Sequence, residues 1–580
     1  MGFHRLALPL LLAALACVES GKPNFVWILA DDLNNDYKQD RLSFMPNLSK
    51  IKAAGAHFIN HAAVQPVCGP SRSSLLSGRF PHNTGYVCNS DRPSENHYRA
   101  IQNNSIGTWL TTAGYHTSFI GKYVNGLEQT VPEGWNFWGG FSSSQGTYNY
   151  MNSTPWNITF DRTGTTPTSP VEWVAMTGTH QAEFVGQWGV KQMGAAVAAG
   201  LPFFVHLTPL MIHYGVCYGP LPKGETNNVT DPYWEKDLTN WGCNMKQNKP
   251  CSLTISPCVS LKNEHAFDGH TNPHTPSWNV SASGPLPSSM VLRDISEFTS
   301  NRQDIGFRNR SAALLDLDSL LGVVLDGIEA LGVADNTYVI FTSDNGYHLA
   351  EHKMPMGKEH PYETDVSLPM YIKGPGVPAN TELLYPTFVL LLLLPVFSAL
   401  IGGENQGAAA PTNHPTPYCP PATPTPPPPP PPPPGSTHID ITATLVELAG
   451  ATPVGPPLDG LSFAAAFGSS PPAPADWRDF QFSEHHCNDL TWRKIRRPLP
   501  NANNTYHMWC DGTEEVFEAN DPWQLANTVR TTGASFALTN ERLAEFLWQC
   551  SGPECNKPTP MTVRKFPCYN TSGPLHEFDP

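Results

Sequence analysis

Two short polar strings have the composition of a metal site. Asp31-Asp32 follows the apolar run Asn24–Ala30 (NFVWILA), and Asp344-Asn345-Gly346 follows Thr337–Thr342 (TYVIFT) and Ser343. Asp31, Asp32, Asp344 and Asn345 are hard oxygen donors with no Cys or His among them, a set that suits Ca²⁺ or Mg²⁺ and not Zn²⁺. Three carboxylates gathered at one point repel and raise their pKa values unless a cation neutralises them. An isolated Asp-Asp after a strand is as often a turn or a helix cap, so the metal reading needs both strings to meet. A third string, Cys68-Gly69-Pro70-Ser71-Arg72, carries a cysteine whose plain alternatives are a small buried hydrophobe or half of a disulfide.

The elements that must position these residues are legible. Asn24–Ala30 and Thr337–Thr342 are continuous apolar runs rich in β-branched and aromatic residues, the pattern of strands buried on both faces, and Phe203–Leu207 is a third. Ligand sites in open α/β sheets lie beyond the carboxyl ends of the strands, so two acidic strings more than 300 residues apart can converge there. Leu314, Leu317, Leu320, Leu321, Leu325 and Leu331 form a helical stripe within 311–331, and Ile439–Ala449 is a second helix. Strand–helix alternation predicts an α/β layered domain over 22–470. From about Trp477 the texture turns to Trp, Cys and short β-like pieces, which predicts a smaller C-terminal subdomain over 475–580.

A chain of 580 residues with 40% hydrophobic residues can build a large core. Its net charge of −15, with no Lys/Arg block, argues against a nucleic-acid partner. Residues 1–20 read as a secretory signal, with a basic start and an apolar stretch, Leu6–Ala16, too short to span a bilayer. The string Ala14-Leu15-Ala16-Cys17 also loosely resembles a lipoprotein signal. Either version predicts export, to the outside, the cell wall or a lysosome-like compartment, with no stable membrane insertion. Setting aside Cys17, Cys68 and Cys419, ten cysteines remain, an even number that permits disulfides and assigns none. N-x-S/T sequons, nine in all, allow glycosylation. The segment Phe388–Ser436 joins a leucine run to an unbroken proline run, Pro426–Pro434. Polyproline is an extended solvated rod and joins no packed core, so the segment reads as a retained intron or an exposed linker.

The string Cys68–Arg72, continued by Ser73–Arg79, resembles the first signature of the sulfatase family, and Gly114–Lys122 (GYHTSFIGK) resembles the second. The Asp-Asp after the first strand and the Asp-Asn-Gly after the later one follow in the family's order. Asp344–Pro375 and Glu514–Leu525 look most like the glucosamine-6-sulfatase and eukaryotic arylsulfatase branch. The resemblance implies an alkaline-phosphatase-like sandwich, a large mixed sheet between helices with a smaller C-terminal antiparallel sheet. It implies a formylglycine made from Cys68 by a formylglycine-generating enzyme, a bound Ca²⁺ (or Mg²⁺) held by Asp31, Asp32, residue 68, Asp344 and Asn345, and hydrolysis of sulfate monoesters of a sugar or an aryl alcohol. Arg72, Lys122 and Lys358 match positions that contact the formylglycine or the sulfate, and His213 matches the histidine beside the leaving oxygen. In the implied mechanism one hydroxyl of the aldehyde hydrate, deprotonated with help from Asp344, attacks sulfur. His213, with Lys358, protonates the departing alcohol, and the second hydroxyl expels sulfate. By type alone, each lysine reads better as a surface charge and His213 as a core or surface histidine. Many sulfatases carry a histidine two residues after the signature lysine, where Val124 stands here beside Asn125. His348 and His352, spaced i,i+4, suit supporting roles better than a zinc pair. A phosphatase or phosphodiesterase of the same superfamily predicts a Ser/Thr nucleophile with two zinc ions. A non-catalytic homologue predicts loss of Cys68 or of metal ligands, and none is lost.

Overall fold

The computed structural model describes residues 21–35, 42–89, 103–126, 131–141, 155–170, 172–174, 179–214, 257–290, 292, 297–382, 435–467, 478, 480–487, 490–497, 504–518, 520–529 and 534–556. The expected signal segment, residues 388–434 and Cys217, Cys243, Cys251, Cys419 and Cys568 lie outside the described residues.

In chain order the strands are β1 (Asn24–Ala30), β2 (Ala56–His57), β3 (His61–Ala62), β4 (His116–Gly121), β5 (Phe137–Gly140), β6 (Trp156–Thr159), β7 (Glu172–Trp173) and β8 (Phe203–Thr208). They continue with β9 (Thr337–Ser343), β10 (Ser367–Leu368), β11 (Tyr371–Lys373), β12 (Thr381–Glu382), β13 (Ser436–Thr437), β14 (Gln481–Cys487), β15 (Leu490–Arg496), β16 (Thr505–Trp509) and β17 (Glu514–Phe517). The main helices are α1 (Pro46–Ala54), α2 (Cys68–Ser77), α3 (Gln181–Ala198), α4 (Glu297–Ala330), α5 (His438–Ala449) and α6 (Ala534–Gln549).

A ten-stranded mixed sheet runs β12-β2-β11-β9-β1-β8-β4-β5-β6-β7. Its centre is parallel: β1 pairs with both β8 and β9, and β4 with β8. The apolar runs of β1 and β9 have no polar face because both faces are covered. Val26, Ile28 and Ala30 enter the core beneath α3 and α4, while Phe25, Trp27 and Leu29 enter the core beneath α2 and α5. Residues alternate across a strand with a period of two, so each strand feeds two cores. Each fully buried side chain of this kind contributes about 1.5–3 kcal/mol. The sandwich expected from the sequence is the one observed, including a separate four-stranded antiparallel sheet, β14-β15-β16-β17.

Three differences from the sequence reading have physical causes. The helix expected over 311–331 starts at Glu297, and its turns ahead of the leucine stripe carry polar contacts instead: Gln303 Oε1 accepts from Trp278 Nε1 at 3.1 Å and Asp304 Oδ1 from the Asn272 N–H at 2.7 Å. The C-terminal subdomain contains a helix, α6, whose Leu543, Phe546 and Leu547 pack on Phe482, Ile495 and Tyr506 of the small sheet. Gly435 and Ser436, placed with the proline-rich segment by composition, belong to the fold. Ser436 pairs with His61 in β13, is buried, and its carbonyl accepts from Gln481 Nε2 at 2.9 Å. Thr437 then caps α5 through a reciprocal box with Asp440. Disulfides join Cys88 to Cys487 and Cys550 to Cys555, and Cys258 and Cys510 are also disulfide-bonded. No helix among the described residues is long and apolar enough to cross a membrane.

Candidate active site

The site lies where β1, β4, β8 and β9 end, facing the start of α2. Asp31 continues the alternation of β1 toward the α2 side, and Asp32 turns away through a left-handed backbone (φ 64°), a conformation that short polar side chains tolerate better than others. Cys68 is the first residue of α2, whose ten residues are all buried. A helix N-terminus presents unpaired N–H groups and a partial positive charge, and here the Gly69 N–H is taken by Asn89 Oδ1 at 2.9 Å. A Cβ on Gly69 would lie 2.5 Å from Asn89 Oδ1 and from the Tyr86 hydroxyl, so both side chains would have to shift to admit one. At the end of β9, a Cβ on Gly346 would lie 2.1 Å from the Thr364 carbonyl oxygen, which accounts for the Gly of Asp-Asn-Gly.

The structure brings every site residue expected from the sequence into one cluster. Asp31 Oδ2 receives Lys122 Nζ at 2.6 Å and Arg72 Nη2 at 3.2 Å. Arg72 Nε donates to Asp344 Oδ2 at 2.9 Å, and its Nη1 to the Lys122 carbonyl at 2.6 Å. Lys358 Nζ lies 2.5 Å from Asp32 Oδ1, 2.7 Å from Cys68 Sγ and 3.3 Å from Asn345 Oδ1. Asn345 Nδ2 donates to Asp32 Oδ1 at 2.7 Å. Cys68 Sγ is 3.6 Å from Asp31 Oδ1, and His213 Nε2 is 3.7 Å from Asp32 Oδ2. Asp31, Asp32, Asp344 and Asn345 are completely buried.

Burial and mutual charge set the protonation states. Burial by itself raises the Asp31 carboxyl, but Lys122, His213, Arg72 and Lys358 hold it well below the usual range. Burial likewise opposes ionisation of Asp32, and Lys358 and His213 pull it down. At Asp344, burial and the Asp31 charge outweigh Arg72 and raise the pKa. Burial pushes the Cys68 thiol up to about 12, so an unmodified Cys68 is a neutral thiol and a weak nucleophile at neutral pH. Burial brings His213 down to about 4 against the pull of Asp32 and Asp31. Its Nδ1 is 2.7 Å from the Tyr214 carbonyl, so Nδ1 carries the proton and Nε2 faces Asp32 as an acceptor.

The oxygen donors Asp31 and Asp32 fit a hard divalent cation. They lie in a group in which one ligand atom each from Asp31, Asp32, Cys68 and His213 falls within 4.8 Å of the others. Asp32 Oδ2 is buried without a hydrogen-bond partner among the described residues, a costly state for an acceptor unless a cation meets it. The Lys358 ammonium, set among Asp32, Cys68 and Asn345, marks the same point as favourable for positive charge.

Several residues of the site escaped the sequence reading. The Ser71 hydroxyl donates to the Asp344 carbonyl at 2.6 Å and lies 3.0 Å from His438 Nδ1. His438 Nε2 is 2.9 Å from the Ser343 carbonyl, so both hold the backbone at the end of β9. His438 comes four residues after Pro434, and no local pattern distinguishes it from any helix-start residue. The buried Asp365 accepts from His348 Nδ1 at 2.8 Å and from the His360 N–H at 2.9 Å, joining the Asp-Asn-Gly loop to the Lys358 loop. His352 stacks on Tyr362 with centroids 3.9 Å apart and does not share a centre with His348. Val124 is buried in the core beneath α2, and the Asn125 carbonyl accepts from the Tyr86 hydroxyl.

The arylsulfatase of Chlamydomonas reinhardtii is 28% identical over 390 residues, 64% of this chain and 54% of that protein. The N-acetylglucosamine-6-sulfatase of Homo sapiens is 27% identical over 378 residues, 62% of this chain and 57% of that protein. The matches thus span little more than half the length of these two relatives. A protein solved in complex with its substrate D-glucosamine-2-N,6-O-disulfate superimposes with a TM-score of 0.55 at 16% identity, over 90% of this chain and 95% of the other. That likeness concerns the fold. The family model for sulfatases matches residues 23–391, from β1 through both acidic loops and Lys358, and the chain belongs to the sulfatase family.

Proposed function

We propose that this protein hydrolyses sulfate monoesters of a sugar or an aryl alcohol, with residue 68 converted from cysteine to formylglycine and with a calcium ion held by Asp31, Asp32, residue 68, Asp344 and Asn345. The observation that carries the reading is the placement of Cys68. It is the free cysteine among the described residues, buried at a helix start where carboxylates and cations converge. A neutral thiol has no use there, whereas an oxygen nucleophile beside a hard cation does.

Hydrated formylglycine supplies an oxygen nucleophile at position 68, and the calcium ion lowers the cost of its charge. The remaining steps belong to the chain. Asp344, whose raised pKa makes it the readiest proton acceptor of the three carboxylates, takes the proton of the attacking hydroxyl. Arg72 and Lys122 lie on the Asp31 side and Lys358 on the Asp32 side, so fixed cations surround the space above position 68 and meet the charge that spreads over the non-bridging sulfate oxygens. In the described state three carboxylates face three cations. A divalent cation added to that balance leaves the centre positive, the condition that draws in a sulfate ester anion. His213 presents Nε2 toward the site without a proton, so it reaches the leaving oxygen as a donor only after taking up a proton. Lys358, whose charge Asp32 stabilises against burial, supplies the positive charge beside the departing oxygen. The expected signal segment and the disulfides accord with export, and maturation then requires a formylglycine-generating enzyme acting on Cys68–Arg72 before the protein folds, since that string is buried afterwards.

The test is direct. Peptide mass spectrometry on active protein is expected to find the aldehyde or its hydrate at position 68, and an aryl sulfate with a panel of 6-sulfated and other sulfated sugars is expected to release sulfate. Fully active protein with an intact thiol, or full activity after chelation has removed all metal, overturns the reading. A phosphate monoester in the same panel separates it from a phosphatase of the same fold.

A further inference from the structure

We infer that Arg310 is a positioning residue for this active site: from α4 it fixes the three segments that carry Asp32, His213 and Asn345. Its Nη2 donates to the Asp32 carbonyl at 2.5 Å and its Nη1 to the Ile212 carbonyl at 3.2 Å. Its guanidinium lies over the Tyr347 ring, 4.5 Å from the centroid, and Tyr347 follows Asn345 by two residues. Arg310 is itself buried.

The geometry explains why such a clasp is needed. The ends of β1 and β8 are paired through Asp31 N–H to the Met211 carbonyl and Ile212 N–H to the Asp31 carbonyl, both at 2.7 Å. The pairing stops there because Asp32 turns into the left-handed region and its carbonyl leaves the ladder. The Asp32 carbonyl belongs to the peptide that leaves Asp32, and the Ile212 carbonyl to the peptide that enters His213. Holding both planes with one rigid fork fixes the direction of the Asp32 and His213 side chains relative to each other. A guanidinium has the donors and the planarity for this, and a lysine ammonium does not. The flat face of the same group then rests on Tyr347, so the third segment is registered against the first two. The inference rests on the reading of the site as a calcium-dependent sulfatase centre.

Another polar residue of α4 supplies the contrast. Asp318 accepts from the backbone N–H groups of Asn47 and Leu48 and from the Asn47 amide. It anchors the start of α1, away from the site, and serves as a scaffold control.

The experiment compares Arg310→Lys with Asp318→Asn in the full-length protein. Calcium binding is measured by calorimetry without substrate, so that no turnover occurs and residue 68 stays intact, and kcat and KM are measured well below the melting temperature. Loss of a group that orients metal ligands costs about 10- to 100-fold. Arg310→Lys is therefore expected to weaken calcium binding and lower kcat within that range, with KM changed far less. Asp318→Asn is expected to lower the melting temperature while leaving calcium affinity and kcat in place. Folded Arg310→Lys protein with wild-type calcium affinity and kcat overturns the inference, as does a loss no larger than that of Asp318→Asn. If Arg310→Lys does not fold, Tyr347→Leu removes only the ring beneath the guanidinium. It is expected to weaken calcium binding by a smaller factor, and an unchanged affinity overturns the inference. Wild-type protein that binds no calcium and releases no sulfate overturns the sulfatase reading and this inference together. Wild-type protein that does both, beside an unaffected Arg310→Lys, overturns this inference alone.

Discussion

The centre around Cys68 and the contact between the small sheet and the main domain are both buried and both dense in charge, yet their acids are treated differently. Where β14 and β15 meet the main domain, Glu484 lies between His82 and His486 at 2.7 and 3.2 Å, and Glu363 receives Lys494 at 2.7 Å with Arg496 at 3.5 Å. Glu515 accepts from Tyr362 and from Trp509, both at 3.0 Å. Each of these acids has fixed protein partners, and the cluster ties two sheets together. Around Cys68 the Asp32 Oδ2 atom has no hydrogen-bond donor among the described residues, and a free thiol stands between carboxylates and an ammonium. Acids that protein donors meet hold two sheets together. The open acceptor and thiol around Cys68 are what the proposed calcium ion and substrate would complete.

Substitutions in the two clusters should therefore fail in different ways. The largest effect is expected from Cys68→Ser, which leaves the helix and its packing but offers no aldehyde precursor for the maturation enzyme that acts on cysteine. Sulfate release should fall by on the order of 10³-fold or more, with the thermal transition nearly unmoved. Unfolding of this variant would show that Cys68 is a packing residue, and the contrast would collapse. Glu484→Gln is expected to do the reverse. Removing one partner of a buried pair costs about 3–5 kcal/mol, which a urea titration reads directly, whereas kcat measured on the folded protein should stay near wild type.

A pH series sharpens the same point. Burial alone would lower the His82 pKa, but Glu484 raises it above its usual 6.5 through charge and a hydrogen bond. Its contribution to stability is therefore fully present below pH 6.5 and is lost as pH rises through the folded value. His82→Gln is expected to cost about 1–3 kcal/mol in mild acid and progressively less in alkali. A cost that grows with pH would reverse the assignment of charge in this cluster.

The smallest effect is expected from deleting residues 388–434. Glu382 in β12 pairs with His57, and Ser436 in β13 pairs with His61, so both flanks of the segment rest on the same short stretch of chain. The stretch between those two histidines spans at most about 14 Å, a gap the remaining residues 383–387 can cross. Shortening a long loop changes closure entropy by only about 0.6 kcal/mol per halving, so stability and kcat should stay close to wild type. Extending the deletion through Ser436 should destabilise the protein, because it removes a paired and buried residue; equal stability of the two deletions would contradict the pairing of β13.

Much of the site is legible in the amino-acid sequence. The strand ends at Asp31-Asp32 and Asp344-Asn345 announce themselves because a strand covered on both faces must be apolar throughout and must turn polar where it emerges. Cys68, Arg72, Lys122 and Lys358 are readable through the strings that contain them. Asp365, His438 and Arg310 are not. Asp365 sits in a short helical turn with no periodicity, and His438 follows a proline-rich segment that obscures its context. Arg310 lies just ahead of the leucine stripe that marks the rest of its helix.

Residue type and strand periodicity are local properties, and they suffice to specify the α/β class and the oxygen donors at two strand ends, while the string around Cys68 singles out the cysteine. Folding in three dimensions adds what no local property holds: the two acidic strings share one point with Cys68, Lys358 reaches in from a distant loop, and Arg310 and Asp365 hold the loops in place. Those relations depend on parallel pairing of β1 with β8 and β9 and on side chains meeting across hundreds of residues, and no local pattern encodes which buried carbonyl a given guanidinium will find.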